Sequence, residues 1–333
     1  MQADLTIVRG VPPQARDYDR AVPVELVQPE RGKRLKLSRS AVLDYIYGGE
    51  HEDALHEALH AETPADSRIQ HWLERNWSWA APYYLASKKV RVADRDDPDG
   101  TARRETLKNY LEESPPPSPR LPGGERIPLP SAPPKGTRSV GDVLVTRRTG
   151  PRPGRRTLPL TDLGEVLDTG TDLLRRSVRY ASHYEDDPVR LLNSFGCALD
   201  VYVVAYDVEG VPAGLHRYLL GEHALVTLRP HEGTEELRNE MQRILVGQPA
   251  PLTAAATIVL VADFNRYQWR YRHERAMRHL YVDAGHVAGY LLLAATSRNK
   301  QAHISPASSD SQGLRFLERD PATDQIVYSI SFS

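Results

Sequence analysis

A short basic run is the part of this chain whose residue types most clearly suggest chemistry. Arg175, Arg176, Ser177 and Arg179 read R-R-S-V-R. Each arginine carries a planar guanidinium whose paired N–H groups suit the oxygens of a phosphate. The run therefore predicts a binding site for a phosphate-bearing ligand. The alternative is a plain basic helix end that follows the apolar pair Leu173 and Leu174.

Histidine and cysteine give weaker signals. His56 and His60 are four residues apart, as in a metal-binding helix, but no third ligand accompanies them. We expect them to be solvated or to cap a helix. Cys197 is the one cysteine, which excludes an intramolecular disulfide and a cysteine-rich zinc site. A small core residue is the expected role of Cys197, rather than a nucleophile.

Composition excludes several classes of function. The 43 Lys and Arg residues balance 44 Asp and Glu residues, so net charge gives no reason to expect a nucleic-acid partner. The apolar stretches are far shorter than the ~20 residues needed to span a bilayer. The first residues lack the pattern of a secretory signal. The expectation is a cytoplasmic protein.

A proline-rich segment divides the chain. Nine of the 22 residues over 114–135 are proline, which favours an extended spacer rather than a helix or a central strand. The sequence therefore predicts a mainly helical N-terminal domain over 1–113, a linker over 114–158 and a second domain over 159–333. A binding site for a proline-reading partner is the alternative role of the segment.

Beyond the proline-rich segment, the apolar pattern alternates between strand and helix. Strands are predicted where apolar, β-rich runs occur, and helices where apolar residues recur at helical spacing. Strands are expected over 198–210, 255–264 and 324–333, with helices over 234–247 and 270–298. Interleaved strands and helices favour an α+β domain in which a sheet is flanked by helices. The second half of the long helix is apolar nearly all round, which predicts dimerisation through this helix.

Two long blocks resemble a known family. Residues 193–218 read NSFGCALDVYVVAYDVEGVPAGLHRY, and residues 256–296 carry a buried strand, the triplet Trp-Arg-Tyr and the tetrapeptide Asp-Ala-Gly-His. Together they resemble the SagB-type azoline dehydrogenases, an FMN-binding branch of the nitroreductase superfamily. The tryptophan-rich stretch over 77–100 is similar to the N-terminal region of such proteins.

The resemblance implies a nitroreductase-like sheet flanked by helices and a dimer that holds FMN at the subunit interface. It also implies a reaction, the two-electron oxidation of thiazoline or oxazoline rings in a precursor peptide to azoles. The flavin carries the redox chemistry, and the protein orients it. The family's phosphate-binding segment resembles Arg175–Arg179, although only 17 residues separate Ser177 from Ser194. Residues 163–170 are the alternative for this segment.

Two further motifs place candidate residues. Ser194 and Gly196 match the family's Pro-Ser-Ala-Gly motif, where glycine lets the backbone approach the flavin. Arg270 and Tyr271 stand where the family has Lys-Tyr, the pair that handles the substrate proton. Arginine stays protonated and cannot act as a base, so Tyr271 is predicted to carry the proton step, with Arg270 stabilising its phenolate. The alternative is that both form the polar start of a long helix.

The tetrapeptide Asp-Ala-Gly-His includes His286, which is predicted to be a core histidine rather than an acid–base group.

Three functions remain open. The chain is an active azoline dehydrogenase, or a degenerate relative that serves as a partner subunit to a dehydrogenase or a cyclodehydratase complex, or a small-molecule nitroreductase. Residues 1–113 are predicted to bind peptide or the partner subunit through an aromatic cluster. The alternative is that these rings form a hydrophobic core. The cluster comprises Trp72, Trp77, Trp79, Tyr83 and Tyr84.

Overall fold

The computed structural model divides the chain into two compact units. Unit 1 comprises Met1–Val92 with His273–Arg275, and unit 2 comprises Ala93–Arg272 with Ala276–Ser333. The structure describes residues 75, 77, 80, 83, 84, 87, 97–119, 121–131, 138–150, 153–194 and 198–333, together with the backbone of three strands before residue 38.

Unit 1 contains an antiparallel sheet. Its strands are β1 (Thr6–Arg9), β2 (Val24–Gln28) and β3 (Lys33–Leu37), in the order β1-β2-β3. The prediction of a mainly helical N-terminal domain did not include these strands. β-branched residues cluster in β1, and leucine alternates with basic residues in β3, which favours extended backbone. Trp72 and Trp79 of the predicted aromatic cluster lie outside the described residues, as do His56 and His60.

A seven-stranded antiparallel sheet forms the centre of unit 2. Its order is β4-β7-β6-β5-β8-β10-β9. The strands are β4 (Arg126–Pro128), β5 (Leu199–Ala205), β6 (Gly214–Leu219), β7 (Ala224–Pro230), β8 (Ala256–Asp263), β9 (Ala302–Ser305) and β10 (Asp324–Phe332). The strands predicted from the apolar runs are thus present.

Helices flank this sheet in the described part of unit 2. They are α1 (Thr101–Glu113), α2 (Val140–Thr146), α3 (Leu160–Gly170), α4 (Asp172–Ala181), α5 (Val189–Leu192), α6 (Thr234–Ile244), α7 (Phe264–Arg270), α8 (Ala276–Ser297) and α9 (Asp310–Phe316). The predicted helix over 270–298 therefore begins later, at Ala276, and Arg270 is the last residue of the preceding helix α7. Tyr271 has φ −110° and ψ 84°, outside the helical region, so α7 ends there.

Alternation along the central strands assigns each helix to one face of the sheet. Val201 and Val203 of β5 pack in the same cluster as residues of α3 and α8, whereas Tyr202 and Val204 pack in a cluster with residues of α6 and α9. Because both faces are covered, β5 and β8 read as nearly continuous apolar runs rather than as alternating ones. The predicted α+β fold, a sheet flanked by helices, is confirmed.

Part of the proline-rich segment belongs to this sheet. β4 pairs with β7 at the edge, α2 follows, and Leu158 is fully buried in the main core. Part of the segment 114–158 therefore belongs to the folded domain and is not a spacer. Proline fits here because Pro128 ends an edge strand, where a missing N–H breaks no internal ladder. The division between the units falls between Val92 and Ala93, so α1 belongs with the sheet.

We expect Gly170→Ala to destabilise the protein. A Cβ at Gly170 would lie 2.8 Å from Leu291 Cα, where α3 packs on α8. The higher helix propensity of alanine favours the variant by roughly 1 kcal/mol. Overpacking against backbone costs roughly 1–3 kcal/mol, so the overall change in the free energy of unfolding is expected to be a loss. Urea unfolding should show a net loss of about 1 kcal/mol. In α2, Gly141→Ala meets nothing closer than Ser139 Oγ at 3.8 Å and should show no loss, so equal stability of the two variants would contradict this packing argument.

Candidate functional site

A cleft of about 300 Å³ opens beside the end of α7. Its size lies at the lower end of the range for small-ligand sites. Its lining comes from three places: the end of α5 and the residues after it, the last turn of α7, and the first turns of α8. The lining residues are Leu192, Asn193, Ser194, Tyr267, Arg270, Tyr271, His279 and Asp283. Three of the predicted site residues, Ser194, Arg270 and Tyr271, therefore lie together.

Contacts at both ends fix α7, which carries two of these residues. At its start, Asp263 caps the helix by accepting a hydrogen bond from the backbone N–H of Arg266 at 3.0 Å. Near its end, Trp269 is buried and its Nε1 donates to the carbonyl of Ser114 at 3.1 Å. A short helix held in this way presents Arg270 in a defined position.

Arg270 joins the end of α7 to the segment after α5. Its Nη1 donates to the carbonyl oxygen of Ser194 at 2.6 Å and also to Ser194 Oγ. Its Nη2 donates to the carbonyl oxygen of Leu192 at 2.7 Å. The guanidinium carbon lies 4.8 Å from the centre of the Tyr271 ring. Arg270 and Tyr271 thus stand at a corner before α8 and do not begin that helix.

The forked geometry of Arg270 predicts that lysine cannot replace it. A lysine ammonium is a single point and cannot reach both carbonyls as the guanidinium does. We expect Arg270→Lys to lower the free energy of unfolding by about 1.5–3 kcal/mol, the range for a lost hydrogen bond to a charged group.

Chemical denaturation of Arg270→Lys measures this loss. The matched control is Arg176→Lys, where an exposed arginine pairs with Asp172 one turn away, and it should change stability by less than about 0.5 kcal/mol. Equal stability of the two variants would show that Arg270 does not hold the segment.

Asp283 and His279 are site residues that the sequence analysis did not propose. They are four residues apart, so α8 places them on one face, and both line the cleft. Burial raises the pKa of the Asp283 carboxyl, although His286, His279 and Arg270 favour the charged form. The sequence could have indicated Asp283, because it is the one acidic residue in a largely apolar helix.

His286 is exposed, which corrects the prediction of a core histidine.

The basic run lies elsewhere, on α4. Arg175 forms an ion pair with Asp168, Arg176 pairs with Asp172, and Arg179 is exposed. Ser177 is buried, and its hydroxyl has no hydrogen-bond partner among the described residues. The four residues do not line the cleft. Gly196, together with Phe195 and Cys197, lies outside the described residues, and residues 163–170, the alternative phosphate-binding segment, form most of α3.

A buried ion cluster lies beneath the start of α7. We call it the Asp200 network; it comprises Asp200, Asp263, Asp324, Arg217, Arg266 and Arg319. Asp200 Oδ1 lies 2.5 Å from Arg217 Nη2 and 2.6 Å from Arg266 Nη2, and its Oδ2 lies 3.2 Å from Arg319 Nη1. Burial alone would raise the pKa of Asp200, but the three guanidinium groups hold it below its usual value.

The cleft offers groups that fit a flavin. Tyr267 and Tyr271 supply aromatic rings whose centres are 4.8 Å apart, and Asn193 and Ser194 supply an amide and a hydroxyl. Outside the cleft, Ser177 places a buried hydroxyl, without a hydrogen-bond partner among the described residues, beside the arginines of α4. The described residues contain no group of three or more metal-binding side chains. Within the same residues, no helix has the length and apolar character needed to cross a membrane.

Comparisons with known proteins agree with this fold. TfxC, a trifolitoxin operon protein of Rhizobium leguminosarum bv. trifolii, is 28% identical over 261 residues, covering 76% of this chain and 71% of that protein. MJ1384, a nitroreductase homologue of Methanocaldococcus jannaschii, is 29% identical over 99 residues. The match covers 30% of this chain and 48% of MJ1384.

A solved structure gives the same picture. The crystal structure of a nitroreductase homologue from Anabaena variabilis superposes with a TM-score of 0.50 at 22% identity, over 69% of this chain and 47% of that one. This chain therefore spans about half of the Anabaena chain. The model of the nitroreductase family matches residues 161–332, more than half of the chain. The chain belongs to the nitroreductase family.

Proposed function

We propose that this protein is a flavin-dependent oxidoreductase that oxidises azoline rings of a peptide to azoles. The observation that carries the proposal is the cleft, where Ser194, Arg270 and Tyr271 come together from segments far apart in the chain. The family typically binds FMN. Similarity to a protein of a toxin operon adds support for a role in modifying a peptide.

Each cleft residue has a part in this proposal. When bound, FMN supplies a two-electron acceptor. The amide of Asn193, the hydroxyl of Ser194 and the backbone at Gly196 would hold the flavin ring. Arg270 holds this segment in place, and the phenol of Tyr271 contacts the substrate ring. Arg175, Arg176, Ser177 and Arg179 are proposed to bind the phosphate, for which Arg175 and Arg176 must exchange or share their present carboxylate partners.

The proposed partners are an azoline-containing precursor peptide and a second subunit, identical or related. Exposed apolar side chains on α8 favour association through this helix; they are Met277, Tyr281, Val282 and Tyr290. Residues 1–113 remain predicted to bind peptide or the partner subunit. A complex with a cyclodehydratase, the enzyme class that forms azolines, is part of the same proposal.

Flavin binding and reduction test the function. The purified protein is incubated with FMN and desalted, and the flavin's visible absorption band is recorded. A thiazoline peptide is then added without oxygen. We expect retained flavin, loss of its absorption band and a peptide lighter by two hydrogen atoms.

Other outcomes select the alternative functions. Flavin that is reduced by a nicotinamide cofactor and reoxidised by a nitroaromatic compound, with azolines inert, would indicate a small-molecule nitroreductase. A protein that retains no flavin would indicate a degenerate partner subunit.

A further inference from the structure

We propose that the carboxylate of Asp283 accepts the proton that the azoline ring loses, while the phenol of Tyr271 donates a hydrogen bond to that ring. This inference rests on the proposed function and assigns its base. It changes the prediction that Tyr271 itself takes the proton.

The position of Asp283 in the cleft supports this role. Among the described lining residues, Asp283 is the one carboxylate. Arg270 cannot accept a proton, and its guanidinium is already occupied by the carbonyls of Leu192 and Ser194. An ordinary phenol is protonated near neutral pH and is a donor rather than a base. His279 is exposed at the rim and remains the competing acceptor.

The surroundings of Asp283 suit a base. Its carboxyl is half-buried, so burial raises its pKa and its proton affinity exceeds that of a surface aspartate. Three neighbouring groups oppose this effect and favour the charged form: His286 and His279 on α8, and Arg270 at the end of α7. Tyr267 and Tyr271 also line the cleft.

Atoms and electrons balance in this step. The C–H bond at the ring carbon next to the peptide carbonyl breaks, its proton forms an O–H bond on Asp283, and the electron pair becomes the new ring double bond. The hydrogen and two electrons lost by the neighbouring ring carbon would be accepted by bound FMN, for which dioxygen or another two-electron acceptor would be the final oxidant. Asp283 releases its proton through the open side of the cleft.

Three variants of the full-length protein, loaded with FMN, test the inference. Asp283→Asn keeps the shape and removes the base, Asp283→Glu restores a carboxylate, and Glu236→Gln removes an exposed charge on α6, on the other face of the sheet. For Asp283→Asn we expect kcat to fall by ~10²–10⁴-fold, the usual contribution of acid–base catalysis, with bound FMN unchanged. Asp283→Glu should recover part of kcat, and Glu236→Gln should match the wild type.

The pH profile gives a readout that a merely structural role would not change. For the wild type, kcat/KM should rise with pH as Asp283 loses its proton, and this acid limb should be absent in Asp283→Asn. Hydrogen exchange in D₂O at the ring carbon of the azoline, with the flavin reduced beforehand, should occur in the wild type and stop in Asp283→Asn. This exchange requires the base but not the oxidant.

The outcomes separate the two proposals. An Asp283→Asn variant that oxidises azolines at the wild-type rate with the same acid limb would overturn the role of Asp283 and leave the function standing. A wild-type profile that stays flat across the acid range would also overturn it, even if Asp283→Asn does not fold. A wild type that binds FMN and leaves every azoline unchanged would contradict the proposed function, and the assigned base with it.

Discussion

Asp200→Asn should lower the free energy of unfolding by about 3–5 kcal/mol, the usual cost of removing one partner from a buried ion pair. Asp200 is buried among Arg217, Arg266 and Arg319, which the neutral amide would leave partly uncompensated. Asp263 and Asp324 would still balance part of this charge. Urea unfolding at neutral pH measures the loss. The exposed control, Asp172→Asn, should cost less than about 1 kcal/mol.

The same prediction has a pH dependence. The pKa of Asp200 in the folded protein lies below the ordinary value of 3.8. Its contribution to stability is therefore present above pH 3.8 and is lost as the pH falls through the lower folded value. The difference in stability between wild type and Asp200→Asn should shrink over that acid range. A difference that is small at neutral pH, or constant down to low pH, would show that the network is not held by the charge on Asp200.

Tyr271→Phe should lower kcat for azoline oxidation by ~10²–10³-fold, because it removes the phenol that donates a hydrogen bond to the substrate ring. The ring itself should stay in place. Its packing against Tyr267, and its contact with the Arg270 guanidinium, use the aromatic face that phenylalanine keeps. Bound FMN and the melting temperature should therefore equal those of the wild type, which separates a chemical role from a structural one.

Steady-state kinetics with a thiazoline peptide measure the effect of Tyr271→Phe. Tyr290→Phe is the control, since Tyr290 is exposed on α8 and does not line the cleft. Wild-type turnover by Tyr271→Phe would assign Tyr271 to packing alone. A loss shared by both tyrosine variants would show that the effect is not specific to the cleft.

Local patterns predicted much of the fold. The nearly continuous apolar runs that became β5 and β8 are recognisable from composition, because both faces of these strands are buried, whereas β10 is recognisable from its alternation. The strand β4 could not be recognised in this way. It has three residues in a proline-rich segment, and its pairing with β7 is a long-range contact that leaves no periodic signal.

The site was also predictable only in part, because local patterns do not report long-range contacts. Motif resemblance brought Ser194, Arg270 and Tyr271 together, but it could not show that Arg270 binds carbonyls, because that depends on where the segment after α5 lies. The pairing of Arg176 with Asp172 had a local signal, the four-residue spacing on one helix. Asp283 could have been found from its charge in an apolar helix.

The position of β10 has a consequence for how the chain folds during synthesis. β10 follows β9 in the sequence but lies between β8 and β9 in the sheet. Until residues 324–332 have left the ribosome, β8 is an open edge and β9 has no neighbour in the sheet. Open apolar edges favour aggregation, and pairing between strands distant in sequence is slow. The nascent protein therefore depends on β10 for protection of these edges, and chaperone binding should end only when β10 inserts.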